Sequence, residues 1–90
     1  MTNKFEVREY LKDTYEALVL LEPEIYDTAI MGVVERINGQ SAVCYNKSKI
    51  LSILMNDGID IDEALEYYEY NILGSYMGEH TPVFMDSVCL

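Results

Sequence analysis

The dipeptide Asn38-Gly39 restricts the possible folds of this chain more than any other feature of its sequence. It lies between two runs rich in β-formers, Ala29 to Ile37 and Ser41 to Tyr45. A two-residue type I′ turn needs positive φ at both central positions, and Asn-Gly adopts that conformation with least strain. The pattern predicts a β-hairpin. With that loop, Ile37 is expected opposite Gln40, Arg36 opposite Ser41, Val34 opposite Val43 and Gly32 opposite Tyr45. Gly32 across from Tyr45 suggests either a ring laid over the glycine or a bulge.

The segments around the hairpin carry helical periods. From Asn3 to Glu22, Val7, Leu11, Leu18 and Leu21 recur at helical spacing with Thr14 and Tyr15 on the same side. Asn3 and Glu6 fit a capping box, and Pro23 ends the element because the residue before proline is pushed out of the helical region. Glu6, Glu9, Asp13 and Glu16, with Arg8 and Lys12, are expected on the solvated face. After the hairpin, Asn46 is an N-cap for a short helix carrying Ile50, Leu51, Ile53 and Leu54, closed by Gly58.

Asp60 and Glu63 form a second capping box that opens the longest element, Ile61 to Met77, with Gly78 as its terminator. Ile61, Leu65, Tyr68, Ile72 and Tyr76 make one apolar stripe on it, and Tyr70, Leu73 and Met77 a second. Two stripes are more than a simple surface helix needs, so the second is expected to meet the first helix or a partner subunit. Pro82 precedes a last short strand, Val83 to Val88. The expected fold is α+β in the order α-β-β-α-α-β: a small, mostly antiparallel three-stranded sheet packed against a long helix. Residues 1–90 form a single domain, with an N-terminal helical segment (1–28) and a ββααβ core (29–88).

Composition bears on partners. Half of the 90 residues are hydrophobic, generous for a size at which domains often complete their cores by association. A homodimer is therefore expected. Sixteen acids against six bases give a net charge of −10. All six bases and eight of the acids lie in residues 1–49, a net of −2; residues 50–90 hold eight acids and no Lys or Arg, a net of −8. Such a surface repels nucleic acid and anionic membranes and attracts basic protein surfaces. The start, MTNKFEVREYLKD, carries charge where a signal peptide has its apolar region, and no apolar run approaches the ~20 residues that span a bilayer. A cytoplasmic protein with reduced cysteines is expected.

The segment from Ala29 to Val88 is similar to small uncharacterised proteins encoded by tailed bacteriophages. The pattern is AIMGVVER and a turn, then AVCYNKSKILSILMNDGIDIDEALEYYEYNILGSYMGEHTPVFMDSV. It combines a hairpin ending in Tyr-Asn, a short helix with Leu-Met, Asp-Gly, then Glu-Ala-x-Glu-Tyr, Tyr-Asn, Gly-Glu and Thr-Pro. The resemblance covers about two thirds of the chain, and residues 1–28 add nothing to it. It implies a viral gene product acting in a bacterial host cytoplasm. It implies no reaction and carries over no catalytic residues.

Two groups of residues are candidates for function. Asp62, Glu66 and Glu69 follow i, i+4, i+7 spacing and so share one helix face, about 5–6 Å apart; Asp57, Asp60 and Glu63 extend the row. That spacing is comparable to that of phosphates along a nucleic-acid strand. Tyr67 and Tyr70 lie beside the row, and tyrosine, apolar at its base and polar at its tip, suits interfaces. A contact surface for a protein with a basic patch is expected here, or a face that simply keeps the chain soluble.

The second group is Asn71, Tyr76, Glu79, His80 and Thr81. These residues either pin the loop before the last strand or frame a small pocket. A catalytic imidazole needs a nucleophile or an orienting carboxylate, and no spacing around His80 demands one.

No cofactor is expected. The acids from Asn56 to Glu63 miss the alternation of a calcium loop, and the twelfth position from Asp57 is Tyr68 rather than Glu. Cys44, Cys89 and His80 lack the paired spacing of a zinc site. The leading expectation is a non-catalytic accessory protein that binds another protein. A ligand-binding or catalytic protein using Asn71, Glu79 and His80, and a structural component of a phage particle, are the alternatives.

Overall fold

A hairpin does form, but its last pair is Arg36 with Gln40, with three positions between them rather than two. In the computed structural model, which describes residues 4–15, 17–37, 39–74, 78 and 80–86, β1 (Ile30–Glu35) pairs antiparallel with β2 (Ser41–Asn46). The Arg36 N–H donates to the Gln40 carbonyl at 2.8 Å, the Gly39 N–H donates to the Arg36 carbonyl at 2.9 Å, and Gly39 has φ 86°. A three-residue loop with glycine in the left-handed position meets the same steric need as the two-residue turn. Every expected pair therefore moves by one: Glu35 faces Ser41, Val34 faces Ala42, Val33 faces Val43 and Gly32 faces Cys44.

A bulge at Met31 then returns Ile30 to a position opposite Tyr45. Side chains alternate along a strand, so Ile30 and Val33 would otherwise point to opposite faces. The extra residue puts both on the face that carries the fully buried Val43 and Tyr45.

The helix α1 (Lys4–Thr14) is shorter than its periodicity predicts. The Tyr15 N–H closes its final turn on the Leu11 carbonyl at 3.0 Å, and residues 17–23 have no regular structure before a 3-10 helix, Glu24–Ala29. What overrides the helical period is tertiary bonding. The Leu21 N–H donates to the Tyr45 hydroxyl at 2.8 Å, and the Leu21 carbonyl accepts from Arg8 Nη2 at 2.9 Å. The N–H would be occupied within a continued helix, whereas the carbonyl, in the last turn before Pro23, would have no partner there. Asn3 lies outside the described residues.

Arg8 corrects a second expectation. It does not lie on the solvated face but is only 7% exposed. Its Nε and Nη2 donate to the two carboxylate oxygens of the buried Asp27 at 2.7 and 2.8 Å, and Nη1 donates to Glu22 at 3.1 Å. A two-pronged contact of this kind fits the planar guanidinium. Those hydrogen bonds, to Asp27 above all, outweigh burial and raise the Arg8 pKa further above its ordinary value, so the guanidinium stays charged.

The remaining elements follow their capping signals. Asn46 accepts from the Lys49 N–H at the start of α2 (Lys47–Met55), and Gly58, at φ 99°, sits in the turn that follows. Asp60 accepts from the Glu63 N–H at 2.9 Å and opens α3 (Ile61–Tyr67). From Tyr68 to Leu73 the helix continues as a π segment, wider than an α turn because its bonds span five residues. Gly74 follows, where an added Cβ would lie 2.9 Å from the Glu69 carbonyl oxygen. The wide turn requires glycine there. Residues 75–77 lie outside the described part, so the described helical run ends at Leu73 rather than near Gly78.

Two helices between β2 and β3 (Val83–Met85) bring the chain back in the same direction, so β3 joins β2 in parallel, with Cys44 opposite Val83 and Tyr45 opposite Phe84. The sheet is mixed, in the order β1-β2-β3. Val88, the expected end of the last strand, lies outside the described residues. The helices cover one face of the sheet: Leu11, Ile50, Leu54, Ala64, Tyr68 and Ile72 form a single core with Val43 and Tyr45. Phe84 stacks on Tyr45 and meets Tyr68 edge-on, with centroids 6.0 and 5.4 Å away. Ile61, expected in the core stripe, is 44% exposed, and its place is taken by Ala64.

Burial pushes the Tyr45 phenol from its ordinary 10.0 up to about 12, against the opposing effect of the Leu21 N–H. Below pH 10 the phenol is neutral in both folded and unfolded chains and has no effect on pH dependence. Between 10 and 12 the unfolded chain ionises first, so stability falls with rising pH across that window. Tyr45→Phe should shrink this alkaline step in denaturant melts, leaving the part due to Tyr26 and Tyr68, whose phenols burial also raises, and, by stranding the Leu21 N–H, cost about 1–3 kcal/mol at neutral pH. An unchanged alkaline profile would contradict the assignment. Gly74→Ala should lower stability by about 1–3 kcal/mol through the clash with the Glu69 carbonyl, measured by thermal and urea unfolding.

Candidate interaction face and the His80 cleft

The N-cap at Asp60 opens α3 so that Ala64, Tyr68 and Ile72 enter the core. The rest of the helix surface is left outside. Asp57, Asp60, Asp62, Glu63, Glu66 and Glu69 are all exposed. Glu69 lies on the π segment, so its rotation about the helix axis departs from the α spacing that relates Asp62 and Glu66.

Tyr67, Tyr70 and Leu73 are also exposed, at 46%, 74% and 54%. Tyr70 and Leu73 belong to the second apolar stripe, whose Met77 lies outside the described residues, and neither is part of the core. One end of the face closes on the 3-10 helix: the Tyr26 phenol is raised above its ordinary value by burial first, then by Tyr67 and Asp57 beside it. Asp57 and Tyr67, distant in sequence from Tyr26, are thereby brought to one place.

The cations do little to offset this face. Lys47 lies with its Nζ 5.4 Å from the centroid of the Tyr68 ring and 3.8 Å from Asp86. Tyr68 itself is raised by burial and then by Asp86. Arg8 is committed to Asp27 and Glu22.

The second group divides. Asn71 is exposed on the π segment; Tyr76 and Glu79 lie outside the described residues. His80 and Thr81 are half-buried and bonded to backbone. His80 Nδ1 is 2.7 Å from the Ser41 carbonyl, while the Thr81 hydroxyl and N–H both donate to the Gly78 carbonyl. These contacts pin the loop before β3 to the start of β2. A carbonyl can only accept, so the proton of the neutral ring sits on Nδ1 and Nε2 is left as an acceptor.

His80 lines a cleft of about 250 Å³ with Tyr15, Ala17, Leu18, Gly39 and Ser41. Asn71 is not among these residues, and neither is a carboxylate or a thiol. The cleft draws on three separate stretches of chain, so no spacing in the sequence could have indicated it. Its volume falls below the ~300 Å³ at which small-molecule sites usually begin. Among the described residues no three His, Cys, Asp or Glu stand close enough to hold a metal ion, and no helix is long and apolar enough to cross a membrane.

No family model, curated protein or solved structure matches the chain. The site has to be interpreted from its own geometry.

Nitrogen-15 spectra of the imidazole at a pH where it is neutral should show the Nδ1–H tautomer. A dominant Nε2–H tautomer would contradict the bond to Ser41.

Proposed function

We propose that this chain is a small acidic accessory protein, of the kind phages encode, that binds another protein through the exposed side of α3 and the π segment in the host cytoplasm and does no chemistry itself. The observation that carries this reading is the company of Tyr67, Tyr70 and Leu73, exposed at 46%, 74% and 54%, with Glu63, Glu66 and Glu69 on a helix that has no basic residue. Exposed rings on a rigid helix offer contact area at low entropic cost, and tyrosine is enriched among residues that dominate binding energy. The carboxylates around them select a basic partner and speed its approach.

A nucleic-acid mimic is one form of this reading. A row of carboxylates with apolar rings between them can enter the basic groove of an enzyme that handles DNA or RNA, as phosphates and bases do. The likeness of residues 29–88 to phage proteins supports a viral setting. The His80 cleft favours a second reading, a site for a ligand of few heavy atoms that donates a hydrogen bond to Nε2.

Affinity capture from bacterial extract at low salt should retain a basic nucleic-acid-binding protein, released by ~0.5 M salt as screening shortens the reach of the charges. Tyr70→Ala, at a position exposed enough to leave the fold intact, should weaken that complex at least tenfold, and Glu66→Lys with Glu69→Lys should abolish it. Capture of no basic partner, or capture indifferent to all three changes, would contradict the reading.

A further inference from the structure

The sheet has a second face, and it too is apolar. Side chains alternate, so the residues between those of the core point away from the helices. On this face stand Gly32 and Val34 from β1, Ala42, Cys44 and Asn46 from β2, and Val83 and Met85 from β3, in the observed register. None of these apolar residues belongs to the core cluster, and the buried apolar residues of all three helices lie on the other side. Val34, Cys44 and Val83 are half-buried, Met85 is 40% exposed, and Met31, pushed out by the bulge, is 47% exposed. Ala42, fully buried, is the small residue at the centre between larger neighbours. A Cβ built on Gly32 would meet nothing within 4 Å, which leaves a hollow at one edge.

We infer that this face is where a second copy of the chain binds, giving a two-fold dimer by sheet-on-sheet packing. Charge decides the occupant. Each copy carries −10, so two copies repel wherever their acids approach. The α3 stripe is bordered by Glu63, Glu66 and Glu69, and self-association there would bring those acids together. Among the described residues of the three strands none on the outer face is charged, Arg36 at the hairpin end being the nearest charge in its alternation, and the buried side of the acidic helix meets the opposite face of the sheet. Packing two outer faces together buries apolar surface while keeping both acidic rows apart and outward. A two-fold axis along β2 would lay β1 of one copy over β3 of the other, bringing Val83 or Met85 to the hollow at Gly32.

The face is small. Two strands of six residues and one of three, about 4.8 Å apart, project roughly 240 Å², against ~800 Å² per partner in a standard interface. The dimer is accordingly a weak one.

Light scattering on the full chain from ~5 to ~500 µM should show the mass rising from one copy to two. Gly32→Glu is the informative variant. The fold itself has room for the new side chain, and the acid would enter the dimer contact. It should remain monomeric at concentrations where the unmodified chain is dimeric, with an unchanged thermal midpoint at low concentration. In a Cys89→Ser background, Cys44 alkylation should slow as concentration rises. A monomer throughout the range, or a Gly32→Glu chain that dimerises as well as the original, would overturn the inference. Gly32→Glu leaves the α3 face intact, so this outcome is independent of capture of a basic partner.

Discussion

The contact between Arg8 and Asp27 governs how the first third of the molecule is built. Both groups are nearly inaccessible, and a carboxylate or guanidinium taken out of water is costly unless its bonds are replaced. Here they are replaced. Asp27 receives two bonds from the guanidinium, and two more of its hydrogens reach Glu22 and the Leu21 carbonyl. The Leu21 N–H in turn reaches the hydroxyl of Tyr45, at the centre of the sheet. One chain of bonds thus joins α1, the irregular segment, the 3-10 helix and β2. It also accounts for the early end of α1, since a continued helix would have used the Leu21 N–H within itself.

The same contact shapes the electrostatics of the whole surface. The chain has six basic residues. Arg8 is spent inside, Lys47 is drawn to the Tyr68 ring and Asp86, and none follows Lys49. The acids of α3 therefore face solvent without cations on their own helix, beside rings that the core does not use. The sheet divides the molecule into a charged side, suited to a foreign basic surface, and an uncharged side, suited to another copy. Each property comes from the placement of a few residues rather than from a general excess of acid.

Much of the fold was legible in the sequence, because local chemistry and fold agreed there. The hairpin, both N-caps and the turn at Gly58 rest on backbone requirements that only a few residue types meet. The register was missed by one residue because Asn-Gly serves two- and three-residue loops alike, and only the bulge at Met31 reconciles the three-residue loop with the apolar pattern. The parallel pairing of β3 depends on where two helices deliver the chain, which no local pattern encodes. Arg8 did leave a signal: it stands three residues before Leu11 and seven before Tyr15, within the apolar stripe. A cation in that register asks for a buried partner, but nothing in the sequence singles out Asp27 from the other fifteen acids. The acidic row and its tyrosines were legible because exposure follows from helical spacing, whereas the His80 cleft, assembled from three stretches, was not.

A double-mutant cycle on Arg8→Met and Asp27→Leu, followed by urea unfolding, tests this account most directly. Each single change leaves one buried charge without its counterpart and should cost about 3–5 kcal/mol, whereas the double change should cost far less than the two combined. Strict additivity, or single changes of less than about 1 kcal/mol, would mean that the pair does not hold the N-terminal third in place, and the explanation of the fold given above would fail with it.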